Sequence, residues 1–467
     1  MVYASGLTGE QLTRLRDTFD GPIITPADGT YEETRRLWNA VHDRRPAVIV
    51  QPRSSTEVAT AIRFAREHDL ALAVRSGGHS PAGHSTCDGG IVVDLSQMRG
   101  VTVDPAISTA RANGGAFLGE LDVAAQAHGL VCPVGVIGHT GVAGLTLGGG
   151  VGRLQRQFGL TIDSLRAVEL VTADGRFVRA SETEEPELFW GMRGAGWNFG
   201  IVTAFEFGLH PFGPDLHRGV RVYPATVAHE VWQVFEDYAA TAPDAVSMIY
   251  SIAPADVETV RDGAGGLAIG DPVVITSFNH SGRAEDVERD TAGLRLGPEP
   301  LSVSGGSQPY LEVQTAHDLA FAGGHRSFIK GLYSDVFRSE ALDALLDHVA
   351  TGPAGGSFSV TAQGGAIGHV EEGSTAYAGR AARFDHSADS AWEEPADDDA
   401  NRAWVRAAMS YVEPDAIEGR YANENADAGP AQSRLIYGDA KLARLADLKR
   451  SWDPDNVFRL NHNVAPA

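Results

Sequence analysis

Two stretches of this 467-residue chain combine residue types that chemistry can use with spacings that a fold can exploit. The first is Arg75-Ser76-Gly77-Gly78-His79-Ser80, with Gly83-His84-Ser85 close behind. Paired glycines permit positive φ and let the backbone approach a ligand with no Cβ in the way. The successive amides of such a turn form a nest suited to phosphate or to the polar edge of a heterocycle, and His79 stands at its tip. The second stretch runs from Gly135 to Gly152. Gly135, Gly138, Gly141 and Gly144 recur every third residue, followed by Gly148, Gly149, Gly150 and Gly152. Val142, Ala143, Leu145, Leu147 and Val151 between them require burial, which argues against a flexible linker. A dinucleotide fingerprint, G-x-G-x-x-G with an acidic residue about twenty positions on, is not matched. His84, His128 and His139 belong to no Cys, His or carboxylate set with ligand spacing, so a metal site is rejected.

The elements that must position these residues can be read locally. Leu70 to Val74 has the length and apolarity of a buried strand, so the glycine turn leaves a strand end. Before it come a strand from Ala47 to Gln51 and a helix ending near His68. That helix opens on a capping box, Ser54 to Glu57; the whole reads as a βαβ unit. Ile91 to Leu95 is the next strand, and Ala116 to His128 is an amphipathic helix closed by Gly129. Leu165 to Arg179 is a hairpin turning at Ala173-Asp174-Gly175, and Ile201 to Leu209 is a strand. After Pro211 the texture changes to mixed segments: a helix from Val227 to Ala240, a strand from Pro272 to Phe278 and a helix from Glu340 to Ala350. Asp385 to Asp399 reads as acidic and loop-rich. Near the end, Asp439 caps a helix over Ala440 to Trp452, Asp453 to Asn456 is a turn, and Val457 to Val464 is a final strand.

The chain is too long for one ordinary core. Its formal net charge of −23 argues against nucleic acid or anionic lipid as partners. No run of eighteen apolar residues exists, and Met1 to Glu10 lacks the pattern of a secretory leader. Cys87 and Cys132 give no disulfide framework, so a cytoplasmic setting is the default expectation.

Arg75 to Ser80 resembles the flavin-attachment loop of the FAD-linked oxidases related to berberine bridge enzyme and 6-hydroxy-D-nicotine oxidase, flavoproteins of the vanillyl-alcohol oxidase type. Further matches are His128-Gly129-Leu130, Pro133-Val134-Gly135, Thr140-Gly141-Val142-Ala143-Gly144-Leu145-Thr146-Leu147-Gly148-Gly149-Gly150 and Trp197-Asn198-Phe199-Gly200-Ile201-Val202. The closing run from Leu448 to Val464 is a strong signature, and Tyr421-Ala422-Asn423-Glu424 stands where relatives carry Tyr-x-Asn-Tyr or Tyr-x-Asn-Phe. The resemblance implies an α+β fold. A two-part FAD-binding domain (1–210, with 417–467 returning to it) joins a substrate domain, 211–416, of antiparallel sheet backed by helices.

It also implies a covalent 8α-histidyl bond to FAD through His79. The cofactor would be held by Arg75, Ser76, Gly77, Gly78, His79, Ser80, His84 and Ser85. The glycine segment, pictured as an extended loop along the nucleotide, adds Pro133, Gly138, His139, Thr140, Gly141, Gly144, Leu145, Gly148, Gly149, Gly150 and Gly152. Gly196, Asn198, Gly200, Ile201 and Val202 fall on the adenine half, and Tyr421, Asn423, Asn461 and Asn463 near the ring. Relatives with a second, cysteinyl bond carry Cys at the position of Ile137 here, so a single bond is expected, with Cys87 and Cys132 as free thiols. The implied activity is oxidation of an alcohol or amine carbon of a small organic molecule, with hydride moving to flavin N5 and O2 as acceptor. Oxygen reactivity depends on side-chain size near flavin C4a, the position given to Thr140. A dehydrogenase using another acceptor, and a flavin-binding carrier without turnover, stay open. Tyr421, Glu424 and Asp385 are the candidate bases. A tyrosinate at Tyr421 needs its pKa lowered well below about 10.

Overall fold

In the computed structural model, which describes residues 7–257 and 267–467, the turn carrying His79 leaves the strand Leu72–Arg75. Residues 1–6 of the stretch read above for a leader lie outside the described residues. Leu72–Arg75 runs parallel to Ile91–Asp94, which runs parallel to Val48–Val50, and Ile23–Ile24 closes the sheet antiparallel. The crossover helix Ser55–Glu67 buries Val58, Ile62 and Ala65 against this sheet. Its cap is half of the expected box. Ser54 Oγ accepts from the Glu57 amide, but the Glu57 carboxylate accepts from the amides of Arg53, Asp20 and Gly21, tying the preceding chain to the helix start.

A second sheet of five antiparallel strands follows, ordered Val101–Asp104, Thr109–Asn113, Ile201–Gly208, Leu165–Val171, Phe177–Ser181. It includes the expected hairpin. The glycine segment is not an extended loop: its apolar residues close a short helix, Val142–Leu147, between turns. Helical residues near the C-terminus begin at Pro430, and the run to Trp452 is interrupted at Gly438, whose φ is +71°. The Asp439 amide there donates to Glu418 Oε1, so Glu418 supplies the cap expected of Asp439. Residues 457–464 form no strand. Their backbone is instead tied by side chains: Asp453 accepts from the amides of Val457 and Phe458, and Asn198 Oδ1 accepts from that of Val464.

The third sheet has seven antiparallel strands, ordered Ser302–Pro309, Asp215–Pro224, Pro272–His280, Val246–Pro254, Gly356–Ala362, Phe384–Trp392, Arg326–Ser334. Helices Ala228–Ala239, Ser339–Ala350 and Asp398–Ser410 cover one face through Trp232, Leu342, Leu345 and Val405. The acidic stretch read as loop is therefore a strand and the start of a helix. Phe384, Ala388 and Trp392 face that core at a period of two, which puts Asp385, Ser387 and Asp389 on the opposite face. The fold is α+β.

Candidate functional site

A cavity of about 650 Å³ opens between the first sheet, the glycine segment and the seven-stranded sheet. Its wall combines the His79 turn, the glycine segment, Trp197, residues 320–329 and 389–391 of the seven-stranded sheet and its loops, Tyr421 to Glu424, and Phe458 to His462. The turn is brought to the glycine segment by contact between backbones. A Cβ on Gly77 would stand 2.2 Å from the Gly141 nitrogen, and one on Gly141 would stand 2.3 Å from the Gly77 nitrogen. Backbone cannot yield as a side-chain tip can. Gly77→Ala is therefore expected to destabilise the chain by about 1–3 kcal/mol or more, read as a lowered unfolding midpoint. An unchanged midpoint would show that these two segments can separate at no cost.

His79 presents its ring to this cavity, stacked on Trp38 at 5.0 Å and 16°, with Nε2 lying 2.8 Å from His139 Nδ1. Burial, then the nearby His139, push its pKa down to about 3, so the imidazole is neutral. His84 and His462 meet edge to face at 5.0 Å on the wall, both depressed chiefly by burial. The wall fits a flavin nucleotide on two counts. Gly144 lines the cavity with nothing within 4 Å of where a Cβ would stand, so the missing side chain leaves open cavity space. His84 Nε2, Asn461 Oδ1 and His462 Nδ1, all on lining residues, are buried and unpartnered among the described residues. Such atoms call for hydrogen bonds from a polar occupant.

Carboxyl groups gather on the same wall. Glu424 follows Tyr421 in a short 3-10 turn, and Asp389 projects from the strand Phe384–Trp392. Burial and then the Asp389 charge raise Glu424 to about 7. Burial raises Asp389 to about 6 against the hydrogen bond from Ser357 Oγ at 2.7 Å. Asp385 is raised by burial and then by Glu424, with Oδ1 unpartnered among the described residues. It pairs in register with Tyr333 and Thr361, and the cavity wall is formed by Asp389 instead. Tyr421 lines the cavity, but its hydroxyl accepts from the Val151 amide and Asn423 Nδ2, both at 3.1 Å. Burial outweighs those donors and raises its pKa, the reverse of what a tyrosinate base requires.

Of the residues expected at the cofactor, the structure brings Ser76, Gly77, Gly78, His79, Ser80, His84, Ser85, Thr140, Gly141, Gly144, Leu145, Tyr421, Asn423 and Asn461 to the wall. Others serve the scaffold behind it. Arg75 forms a buried ion pair with Asp94 at 2.7 Å and donates to the Thr34 carbonyl. The Pro133 carbonyl accepts from Thr161 Oγ1, and the Gly138 amide donates to Asp318 Oδ1 at 2.7 Å. Gly148, Gly149, Gly150 and Gly152 admit Trp197, Tyr377, Thr161 and the Val134 carbonyl at close range, and Gly196 admits Leu147. Asn198 is fully buried and clamps Ala195, His462 and Val464, with Asn463 in the clamped stretch. Gly200, Ile201 and Val202 pack against Leu170 and Val171 in the five-stranded sheet. Trp38, Phe321 and Asp389 line the cavity with no motif to announce them, and Trp197 lines it from within the matched segment Trp197 to Val202. For Asp389 the period-two pattern of its strand was the available signal. Cys87 and Cys132 are buried free thiols, and Ile137 lines the cavity. No helix among the described residues is long and apolar enough to cross a membrane, and no group of three His, Cys, Asp or Glu among them could hold a metal ion.

Comparison with known proteins gives a consistent pattern. A family model for the FAD binding domain matches residues 46–181, and one described as berberine and berberine like matches residues 420–465. The chain is 30% identical over 460 residues to (R)-6-hydroxynicotine oxidase of Paenarthrobacter nicotinovorans, covering 96% of this chain and 97% of that one. The crystal structure of 6-hydroxy-D-nicotine oxidase from Arthrobacter nicotinovorans superposes with a TM-score of 0.83 at 27% identity, covering 96% and 98% of the two chains. Physcomitrella patens BBE-like 1, at 23% identity and a TM-score of 0.87 over 98% and 99% of the two chains, shares the fold.

Proposed function

This chain belongs to the FAD-linked oxidoreductases of the berberine bridge enzyme and 6-hydroxynicotine oxidase type, and on that premise we propose that it oxidises an alcohol or amine carbon of a small organic molecule, with its FAD held by one covalent bond to His79 and dioxygen receiving the electrons as hydrogen peroxide. Bound FAD supplies the hydride acceptor, N5 of its ring. The chain's own part is to hold that ring beside a proton acceptor and to exclude water. The observation that carries this reading is that His79 and Glu424 line one cavity, with the Glu424 carboxyl raised to about 7. A general base works best when its pKa lies near the operating pH, so Glu424 takes the proton from the substrate OH or NH. Burial, and then the charge of Asp389, keep that pKa high. Tyr421 and Asn423 fix the turn that presents Glu424: Asn423 Nδ2 bonds the Leu145 carbonyl and the Tyr421 hydroxyl.

A single tether is supported by Ile137, unreactive at the position where doubly bonded relatives carry Cys. The Cys132 thiol is fully buried, its pKa raised by burial and then by Asp122, and cannot serve as a thiolate there. The purified chain is expected to be yellow and to keep its flavin through acid precipitation. A substrate should bleach it without oxygen, and air should restore the colour. His79→Ala is expected to release all flavin to the acid supernatant. Flavin still bound to that variant after denaturation would sink the single-bond assignment.

A further inference from the structure

We propose that Arg153, Arg218 and His317 form a binding site for an oxyanion, a phosphate or carboxylate group, set apart from the flavin cavity. None of the three lines that cavity, which the strands Arg326–Ser334 and Phe384–Trp392 wall at one edge of the seven-stranded sheet. A small apolar cluster near the opposite edge brings them together. Leu216, on the strand Asp215–Pro224, packs there with Leu154, Tyr310 and Val313. Arg153 immediately precedes Leu154. Arg218 stands two residues beyond Leu216, so it leaves the same face of its strand. His317 follows the short helix Tyr310–Thr315 that supplies Tyr310 and Val313. Three elements remote in sequence thus deliver three basic side chains to one place, close enough that the charges of Arg153 and Arg218 both act on His317.

The class of ligand follows from Arg153. Its Nε and Nη2 are buried and have no partner among the described residues. Those two N–H groups form one edge of the guanidinium, the fork that matches two oxygens of a carboxylate or phosphate. Arg326 uses the same edge on Asp398, with Nε and Nη2 at 2.5 and 2.6 Å from the two carboxylate oxygens. No carboxylate of the described residues meets the edge on Arg153, in a chain with 61 acidic residues against 38 lysines and arginines. Burial, then the Arg218 charge, lower the Arg153 pKa to about 10, with the Tyr310 hydroxyl acting the other way. His317 is pushed down by burial, then by Arg153 and Arg218, against the pull of Asp318. Asp318 is the acid beside this group, and its Oδ1 accepts from the Gly138 amide. Arginine keeps its proton in proteins, and a buried charge without a counter-charge is costly. An oxyanion seated on the Arg153 fork, with Arg218 and His317 beside it, removes that cost.

The test uses holoenzyme dialysed into Tris chloride. Sodium phosphate or sodium acetate is titrated in, with sodium chloride holding the ionic strength constant, and thermal unfolding and calorimetric binding are read. A saturable rise in the unfolding midpoint is expected. Whether phosphate or acetate produces it tells an inorganic phosphate site from one for a small carboxylate. Arg153→Gln and Arg218→Gln are each expected to weaken the binding about 10–100-fold. In Tris chloride, Arg153→Gln should unfold no earlier than wild type, and wild type should overtake it once the oxyanion is added. A variant less stable than wild type by the same amount in both buffers overturns the proposal, because the guanidinium then serves packing alone. No rise beyond the chloride control, or an undiminished rise in both variants, overturns it as well. If Arg153→Gln does not fold, the wild-type titration and Arg218→Gln still decide.

Discussion

Glu424→Gln is expected to lower kcat by about 10²–10⁴-fold with flavin content unchanged, the larger of two effects that would test the site. The amide keeps the shape of the side chain and removes its capacity to take a proton. Because Glu424 must be ionised to act, kcat/KM of the wild type should rise with pH through about 7 and level off above it. In Glu424→Gln that limb should vanish. Asp389→Asn removes the neighbouring charge that helps hold Glu424 high, so the limb should move to lower pH. A profile that keeps its midpoint in both variants would transfer the base role to another group. Stability carries the same signature with a definite sign. In the folded chain Asp389 and Glu424 titrate near 6 and 7 rather than at their ordinary 3.8 and 4.5. The folded form thus binds more protons across that window and loses stability as pH rises through it. Asp389→Asn should flatten this slope in flavin-free protein.

Lys449→Met is expected to cost about 3–5 kcal/mol of stability. Lys449 and Asp453 are both fully buried, 2.6 Å apart, and the ammonium also donates to the carbonyls of Asn198 and Phe458. Without it, a buried carboxylate faces two carbonyls with no cation among them. Guanidinium unfolding reads the loss, and adding Asp453→Asn should recover part of it by removing the stranded charge. A loss below about 1 kcal/mol would mean the pair behaves as an exposed one. The wider consequence concerns the cavity: Phe458 to His462 are held by this pair and by Asn198, so flavin affinity should fall with stability.

What could be read from the sequence was what is encoded over short distances. Leu70 to Val74 and the glycines after it announce a strand end and a turn because both signals are local. The same logic misread residues 457–464, whose apolar alternation suits a strand. The amides of Val457, Phe458 and Val464 are taken by the Asp453 and Asn198 side chains rather than by a neighbouring strand. The stretch Asp385 to Asp399 failed the other way: its acids masked an alternation whose apolar members, Phe384, Ala388 and Trp392, face the helices. Glu424 was legible as a departure from the family pattern, but Asp389 and Trp38 were not. Each comes to the site by pairing or stacking with residues remote in sequence, as Ile329 opposite Asp389 and His79 against Trp38 show. For Gly148, Gly149 and Gly150, spacing alone cannot separate backbone that meets a ligand from backbone that meets Trp197, Tyr377 and Thr161, the side chains the structure places against them.

The clamp on Phe458 to His462 sets an order of events during synthesis. These residues are translated after every other part of the cavity wall, so a nascent chain emerging from the ribosome carries the His79 turn and the glycine segment long before the trough is closed.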